Sequence, residues 1–204
     1  MNKQIIIIGA GGHGKVIADI AKKNGYDNIA FLDDSTDAEN CGIYPVIGTS
    51  GDFKFHHDKD FIVAIGNALV RQRVHTMLYE AGVNIVSLIH PGATVAEDVT
   101  IEAGTVVMAG AVINPGTKIG KGCIVNTCSS VDHDCTVEDF VHISIGSHVA
   151  GTVKIGSKTW IGAGATVSNN VSINSGCMIG AGAVVVRNIT ETGTYIGVPA
   201  RKID

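Results

Sequence analysis

The stretch Asp132-His133-Asp134 places an imidazole between two carboxylates. Flanking carboxylates raise the pKa of an imidazole and orient its ring, which suits a general base. Two further histidines, His142 and His148, follow along the chain. These three histidines are the candidate sites of proton transfer, and what they can do depends on the elements that position them.

Those elements are set by a repeat of six residues. Every sixth residue from Ile89 to Val185 is isoleucine or valine, seventeen in succession. A face with one inward β-branched residue, followed by a corner, repeats its geometry every six residues, and three such faces close a coil of eighteen. Stacked coils of this kind form a parallel β-helix, in which neighbouring coils complete each other's core.

The repeat predicts which side chains belong to the core. Residues at the inward position are buried, so His133, His142 and His148, which lie beside it in sequence, should point outward or lie at corners. The period of eighteen places Gly151 one coil above His133 and Trp160 one coil above His142. None of the three histidines is therefore expected in the core.

Small residues mark the corners of the predicted coils. Three cysteines occupy the small position two residues before an inward residue and are expected to pack there, namely Cys123, Cys135 and Cys177. Glycines that directly follow inward residues are expected to relieve backbone strain. These are Gly120, Gly156, Gly162 and Gly180.

Composition argues against several functional classes. The net charge of −4 and the lack of a basic stripe argue against nucleic acid as the main partner. The apolar run of four isoleucines near the start is too short for a secretory signal or a membrane span, and it is typical of a buried parallel strand. Five cysteines without a C-x-x-C pair indicate a reducing, cytoplasmic environment.

Residues 1–84 alternate strands with helices, which predicts an α/β Rossmann-like domain of the mononucleotide type. The β-helix domain then occupies residues 85–204. Strands are predicted over 4–8, 28–32 and 61–65, and helices over 15–24 and 68–80.

A glycine-rich loop, Gly9-x-Gly11-x-x-Gly14, lies between the first predicted strand and helix, where backbone N–H groups can meet a phosphate. Asp33 and Asp34 follow about twenty residues later, where a ribose or base contact is expected. The domain is too short for a complete dinucleotide-binding unit, so a nucleotide-sugar such as a UDP-sugar fits better than NAD. NAD binding and a tight turn without a ligand stay open as alternatives.

Two sets of motifs resemble known families. Three segments of this chain resemble the hexapeptide repeats of left-handed parallel β-helix acyltransferases, namely Lys118-Ile-Gly-Lys, Lys154-Ile-Gly-Ser and Trp160-Ile-Gly-Ala. The segment Ile196-Gly-Val-Pro-Ala-Arg201 resembles the closing motif of the same enzymes. The left hand is implied by this resemblance, because the general rule for crossovers predicts the opposite hand. The Gly-His-Gly loop, the paired aspartates and Ile65-Gly-Asn67 resemble the N-terminal domain of bacterial sugar-modifying acetyltransferases. That group includes the UDP-4-amino-sugar N-acetyltransferases and the sialic acid O-acetyltransferase family.

The resemblance implies transfer of an acetyl group from acetyl-CoA to the amine of a UDP-4-amino-sugar in bacterial glycan biosynthesis. It implies a homotrimer with active sites between subunits, and no metal is expected. His133 is the implied base, and Asp134 rather than Asp132 is expected to contact its ring. The implied coenzyme residues are His142, Ala163 and Ala181. Gly151, above His133, would leave room for the acetyl group and offer an N–H to the oxyanion.

The resemblance also assigns residues to the nucleotide-sugar. These are Gly11, Gly12, His13, Asp33, Asp34 and Gly66. Arg71 is a candidate partner for the diphosphate, although an exposed helix charge is the favoured interpretation of that residue.

Three alternatives stay open. The acceptor could instead be sialic acid or another sugar hydroxyl. The three histidines could bind zinc, as in β-helical carbonic anhydrases, although His142 and His148 lie on successive faces and could meet only across subunits. The chain could also be a non-catalytic trimer that binds a nucleotide-sugar.

Overall fold

The computed structural model describes residues 3–35 and 37–203. By spatial contact the chain divides into two compact units, Met1–Pro91 and Gly92–Asp204. The domain boundary between residues 84 and 85 stays a prediction from the sequence.

The first unit is an α/β fold, and the Rossmann-like prediction is confirmed. Its elements in chain order are β1 (Lys3–Ile8), α1 (Gly12–Lys23), β2 (Tyr26–Leu32), β3 (Asn40–Cys41), β4 (Tyr44–Pro45), a 3-10 helix (Ser50–Phe55), β5 (Asp60–Val63), α2 (Ala68–Glu80), β6 (Asn84–Ile85) and β7 (Leu88–Ile89). Strands β2, β1, β5 and β6 form a parallel sheet in that order. Ile5–Ile8 of β1 are almost fully buried, as expected of a central parallel strand.

Apart from shifts of one or two residues at the ends of other elements, the first unit differs from the sequence prediction in two places. Helix α1 begins at Gly12 rather than Lys15, because Gly11 is the extended N-cap and the helix takes in the end of the glycine loop. The hairpin β3–β4 and the 3-10 helix were not predicted, since they are too short to show a period. No helix in the part of the chain that the structure describes is long and apolar enough to cross a membrane.

The second unit is a left-handed parallel β-helix, as predicted. Strands of two residues recur every six residues, and a short hairpin closes the end. They are β8 (Thr94–Val95), β9 (Thr100–Ile101), β10 (Val106–Val107), β11 (Val112–Ile113), β12 (Lys118–Ile119), β13 (Ile124–Val125), β14 (Ser130–Val131), β15 (Thr136–Val137), β16 (His142–Ile143), β17 (His148–Val149), β18 (Lys154–Ile155), β19 (Trp160–Ile161), β20 (Thr166–Val167), β21 (Ser172–Ile173), β22 (Met178–Ile179), β23 (Val184–Val185), β24 (Thr194–Ile196) and β25 (Arg201–Lys202).

Every third strand stacks, which gives the prism three faces. The first face holds β10, β13, β16, β19, β22, β24 and β25; the second holds β8, β11, β14, β17, β20 and β23; the third holds β9, β12, β15, β18 and β21. Stacked residues are eighteen apart, as His142 pairs with Trp160 and Ser130 with His148. The predicted coil length is confirmed.

The inward ladder forms the core of the prism. From Val107 to Val185 every inward residue is at most 3 % exposed. Val95 and Ile101 are only partly buried, because they belong to the first coil and have no complete coil beneath them. Ile89 is 37 % exposed, so the prediction that the first residue of the run is core is wrong.

The corners use left-handed backbone at one fixed place. The residue three positions before each inward residue, from Gly104 to Gly182, has φ between 54° and 77°. Most are glycine, but Asp134 is one of six other residue types that adopt this conformation. Glycines after inward residues do not have positive φ, so the predicted relief of strain is wrong. Gly156 and its equivalents are glycine because a Cβ would overlap the neighbouring coil.

Candidate active site

His133 lies on the edge of the prism between the second and third faces, directly after β14. Its Nδ1 is 2.8 Å from Oδ2 of Asp134. Asp132 makes different contacts, since its Oδ1 accepts the backbone N–H of His133 at 2.8 Å and the amide of Asn114 at 2.7 Å. The expectation that Asp134 rather than Asp132 contacts the ring therefore agrees with the geometry.

The two carboxylates set the electrostatics of this edge. The hydrogen bond that His133 donates to Asp134 raises the pKa of His133, and the charges of both aspartates add to the effect. Asn114 and the His133 N–H lower the pKa of Asp132. Because an ionised carboxylate only accepts, the proton of the neutral ring is assigned to Nδ1 and the lone pair to Nε2. Nε2 is then the nitrogen that can accept a proton from a substrate.

Gly151 lies beside His133 in the next coil, as the repeat predicted. A Cβ on Gly151 would be 2.6 Å from Nε2 and 2.7 Å from Cε1 of His133. The Thr152 N–H donates to the carbonyl of His133, which ties the two coils together at this point. The imidazole takes the space that a Cβ of Gly151 would need, and the expectation that the acetyl group lies beside Gly151 stays a prediction.

His142 projects outward from the first face, yet it is only 9 % exposed. Trp160, one coil above, covers it, with ring centroids 4.5 Å apart and planes inclined by 38°. The sequence correctly kept His142 off the inward position but did not predict this burial, which comes from stacking of large side chains in adjacent coils.

Asn126 fixes the tautomer of His142. The Asn126 Nδ2 is 3.1 Å from Nε2 of His142, and Oδ1 accepts the backbone N–H of Thr127 at 2.8 Å. That second bond determines which end of the amide faces the ring. Because an amide nitrogen only donates, Nε2 of His142 must accept, and the ring proton is assigned to Nδ1.

A groove of about 420 Å³ runs along the outside of the first face. It brings together three of the residues assigned to the coenzyme, His142, Ala163 and Ala181, with Trp160 and Met178 among the other lining residues. Gly151, which the sequence assigns to the acetyl group, does not line this groove and lies beside His133.

His133 and His142 lie on opposite sides of one prism. The edge that carries His133 is the vertex opposite the first face, and the apolar core lies between them. His148 is on the second face, where its Nδ1 is 2.9 Å from Oγ of Ser130. Within residues 3–35 and 37–203, no group of three or more His, Cys, Asp or Glu side chains is placed to hold a metal ion.

The glycine loop of the first unit contains two kinds of glycine. Gly9 has φ of 115° and lies against the backbone of Ala64, and a Cβ on Gly14 would overlap the carbonyl oxygen of Gly9. These two are required by the turn and by close packing of helix on strand. At Gly11, Gly12 and Gly66, by contrast, a Cβ would meet nothing within 4 Å, and φ is not positive. The structure leaves open space around the three glycines that the sequence assigned to the nucleotide-sugar.

The paired aspartates directly follow β2 and accept hydrogen bonds from backbone N–H groups and from serine hydroxyls. Asp33 Oδ2 accepts the N–H of Ala10 in the glycine loop at 2.5 Å, and its Oδ1 accepts from Ser35. Asp34 accepts the N–H and the hydroxyl of Ser50, each at 2.7 Å. Asp33 therefore lies beside the loop, whereas Asp34 is tied to the start of the 3-10 helix.

His13, which is partly buried near the start of α1, lies within the electrostatic influence of the buried Arg71. Burial, and then the positive charge of Arg71, lower the pKa of His13 to about 4. Nε2 of His13 is buried and has no hydrogen-bond partner within the described residues. Arg71 is 1 % exposed and its Nη1 donates to the carbonyls of Ile65 and Gly66 at 2.8 and 2.7 Å. The interpretation of Arg71 as an exposed helix charge is wrong, because these carbonyls lie within its reach after β5.

Two asparagines that orient the histidine sites were missed from the sequence. Asn114 lies eighteen residues before Asp132, so the period could have revealed it. Asn126 lies at a corner, sixteen residues before His142, so the period of eighteen does not pair these two residues.

Comparison with known proteins agrees with both units. Residues 4–78 match the family described as PglD N-terminal domain, and residues 152–187 match bacterial transferase hexapeptide (six repeats).

Similar proteins cover most of the chain. The chain is 31 % identical to GDP-perosamine N-acetyltransferase of Escherichia coli O157:H7, over 77 % of this chain and 74 % of that protein. It is 34 % identical to UDP-N-acetylbacillosamine N-acetyltransferase of Bacillus subtilis (strain 168), over 51 % of this chain and 50 % of that protein. Among solved structures, the acetyltransferase domain of PglB from Neisseria gonorrhoeae FA1090 in complex with acetyl coenzyme A superposes with a TM-score of 0.96. That structure is 40 % identical and covers the whole of both chains.

Proposed function

Because the chain belongs to the family of hexapeptide-repeat sugar N-acetyltransferases that use acetyl-CoA, we propose that its acceptor is a UDP-linked 4-amino-sugar and that His133 is its general base. The site between two copies of the chain and the individual binding residues are parts of the same proposal. The product would enter the synthesis of a glycan.

The geometry of His133 and Asp134 is the observation that carries the assignment of the base. The carboxylate holds Nδ1–H at 2.8 Å, which leaves the Nε2 lone pair for a substrate. Their side chains are 56 % and 66 % exposed, so a ligand can reach them. The raised pKa makes His133 a stronger base than a free imidazole.

The reaction is a direct transfer. The sugar amine attacks the thioester carbonyl carbon, a C–N bond forms, and Nε2 of His133 takes the amine proton. The tetrahedral intermediate then expels the thiolate of coenzyme A, and the imidazolium returns the proton to its sulfur. The N–H of Gly151 is the proposed donor to the oxyanion, since it belongs to the residue that borders His133.

His142 is unsuited to the role of base. Its Nε2 already accepts the Asn126 amide, and Nδ1 carries the ring proton in that arrangement. An imidazole with both nitrogens so assigned cannot accept a further proton without breaking the Asn126 contact. Its place in the groove with Ala163 and Ala181 supports a role on the coenzyme side.

A site that uses both histidines needs two copies of the chain. His133 lies on the edge opposite the face that carries His142, with the core between them. One acetyl group cannot contact both side chains of the same prism. If the edge of one subunit meets the first face of the next, the two histidines converge, and a ring of three closes by symmetry.

The open glycines support a nucleotide-sugar at the first unit. Neither packing nor φ explains why Gly11, Gly12 and Gly66 lack side chains, whereas a closely approaching ligand would. The start of α1 has no side-chain cap and no acidic residue in its first turn, so its N–H groups can meet a phosphate. Asp34 is already engaged by Ser50 through both oxygens. It is therefore better suited to the single N–H of uracil than to the two adjacent donors of guanine.

The acceptor is tested by mass spectrometry of product mixtures. Acetyl-CoA is offered with UDP-4-amino-sugars, with GDP-4-amino-sugars and with sialic acid, and each product is examined for the gain of one acetyl group. We expect acetylation of a UDP-amino-sugar in preference to the others. Preference for a GDP-amino-sugar would show that the proposed nucleotide, UDP, is wrong. Acetylation of sialic acid alone would show that the proposed acceptor, a nucleotide-linked amino-sugar, is wrong.

The base is tested by His133→Ala, with His148→Gln as the matched control. His148 is an exposed histidine of the same prism, bonded to Ser130 on another face. Loss of a general base costs about 10²- to 10⁴-fold in kcat, whereas the control should keep the wild-type rate. Wild-type transfer by His133→Ala would remove His133 from the mechanism.

The shared site is tested by mixing chains. His133→Ala and His142→Ala chains should each be poorly active, but mixed oligomers contain some sites with both native histidines. Coexpression should then restore part of the activity. Mixed oligomers as inactive as either parent would place both residues in one chain's site and contradict the proposal.

A further inference from the structure

Trp160 is the one tryptophan of the sequence, and it is held at both its face and its edge. Its face lies on the His142 ring, with centroids 4.5 Å apart. Its edge is anchored because Nε1–H donates to Oγ of Ser144 at 2.7 Å, and Ser144 is buried. The same indole lines the groove that contains His142, Ala163 and Ala181.

We propose that Trp160 is a positioning residue that keeps the His142 imidazole in one plane, so that the Asn126 amide selects a single tautomer. Imidazole χ2 is a broad torsion, so a histidine without a neighbour of fixed orientation samples several ring planes. The indole supplies that neighbour, and the bond to Ser144 holds the indole in turn. Asn126 can donate to Nε2 only while the ring plane presents that nitrogen to it.

The role differs from simple coverage of an apolar surface. A leucine at position 160 would also exclude water from His142, but it has no flat face to hold the ring. The tautomer belongs to the free protein, whereas its value to the coenzyme rests on the proposed function. The two parts can therefore fail separately.

The test compares three variants by nuclear magnetic resonance of the His142 ring nitrogens, with KM for acetyl-CoA measured beside kcat. Trp160→Leu removes the aromatic face. Trp160→Phe keeps a face but loses the bond to Ser144, and Ser144→Ala loses the same bond from the other side. The wild-type ring should show one tautomer, protonated on Nδ1. Trp160→Leu should show a mixture, with KM raised about three- to tenfold, the size of a lost aromatic contact.

The two milder variants keep the test decisive if Trp160→Leu does not fold. Trp160→Phe and Ser144→Ala should change the chemical shifts of the His142 ring nitrogens in the same direction as Trp160→Leu, but by a smaller amount. Variants that lower the melting temperature but leave the ring nitrogens and KM at wild-type values would reduce Trp160 to a packing residue and overturn the inference.

The indole also reports on the groove directly, since no other tryptophan contributes to the emission. Saturation with acetyl-CoA should change the fluorescence of the wild-type protein and, equally, of His133→Ala, which retains the groove. An unchanged emission at a concentration that calorimetry shows to be saturating would remove Trp160 from the coenzyme site. If His133→Ala transfers acetyl groups at the wild-type rate and shows the normal change in emission, only the assignment of His133 as the base is contradicted.

Discussion

The imidazole of His133 lies against the backbone of Gly151 in the next coil, so close that a Cβ there would be 2.6 Å from Nε2. No other atom within 4 Å is nearer to that Cβ position than the His133 ring. Gly151 does not have a positive φ, so its backbone conformation does not require glycine, and the three heavy atoms nearest to the Cβ position all belong to the His133 ring. The glycine is needed by the position of the histidine.

Gly151→Ala should therefore impair transfer without unfolding the prism. The added methyl group displaces the ring from Asp134 or from the substrate, and a misplacement of about 1 Å costs roughly 10²-fold in rate. The backbone accepts alanine, so the melting temperature should stay close to the wild type. Steady-state kinetics and thermal unfolding check the two halves.

The control for this prediction is a double-mutant cycle. In a His133→Ala background there is no ring to displace, so Gly151→Ala should cause little further loss. If the two losses multiplied instead, Gly151 would act through something other than His133, its own N–H being the first candidate.

Asp134→Asn should move the acid limb of the rate profile to lower pH. Asp134 raises the pKa of His133, so the neutral base is populated only above that raised value, and activity rises with pH through it. An asparagine keeps an oxygen for Nδ1–H but removes the charge, so the pKa falls and the base is available at lower pH. Asparagine also tolerates the left-handed backbone of this corner, where φ is 56°.

Asp132→Asn is the matched control for the pH profile. Asp132 bonds the backbone N–H rather than the ring, and it raises the pKa of His133 only through its charge. The acid limb of the pH–rate profile of Asp132→Asn should also move to lower pH, but by a smaller amount than that of Asp134→Asn. An acid limb that stays in place in Asp134→Asn would mean that the ionisation seen in the profile is not that of His133.

The ladder of isoleucine and valine made the β-helix predictable, because one inward residue in six is a strong and repeated constraint. The same count places Gly151 beside His133 and Trp160 on His142. The Rossmann-like unit was also predictable, since its strands and helices are long enough to show periodicity. Helix α2 was predicted with the bounds that the structure has.

The sequence could not reveal what depends on contacts off the ladder. Arg71 was expected to be exposed, because nothing in a helix of mixed charge shows that two carbonyls after β5 will face it. The burial of His142 depends on the size of the residue one coil above and on a corner asparagine. Gly120 and its equivalents were assigned to strain, although the cause is the closeness of the next coil. These are properties of packing between coils, which a period alone does not encode.

His13 should make the first unit less stable in acid. The pKa of His13 is lowered from 6.5 to about 4 in the folded protein, chiefly by burial. The unfolded chain therefore binds a proton first as the pH falls, and stability that is fully present above 6.5 is lost as the pH falls toward 4. The loss should approach about 3 kcal/mol. Urea unfolding at several pH values, followed by circular dichroism at a helix wavelength, measures it, because α1 and α2 both belong to the first unit.

His13→Gln is the control for the dependence of the free energy of unfolding on pH. Glutamine does not titrate in this range, so the variant should lose less stability between pH 6.5 and 4 than the wild type does. Its absolute stability at neutral pH is not the readout. Equal slopes in the two proteins would mean that His13 is protonated in the folded state as readily as in the unfolded chain.

Arg71→Met should destabilise the first unit by about 2–4 kcal/mol, because two carbonyls lose a charged donor inside the protein. Arg73→Met is the control, since Arg73 is exposed two residues along the same helix.

Removal of Arg71 should also raise the pKa of His13, because the guanidinium lowers that pKa, though burial should still hold it below 6.5. Urea unfolding gives the first quantity and nuclear magnetic resonance of the ring gives the second. A stable variant with an unchanged His13 would show that the guanidinium neither supports the Ile65–Gly66 turn nor acts on the histidine. A destabilised variant with a shifted His13 would show that one buried charge does both.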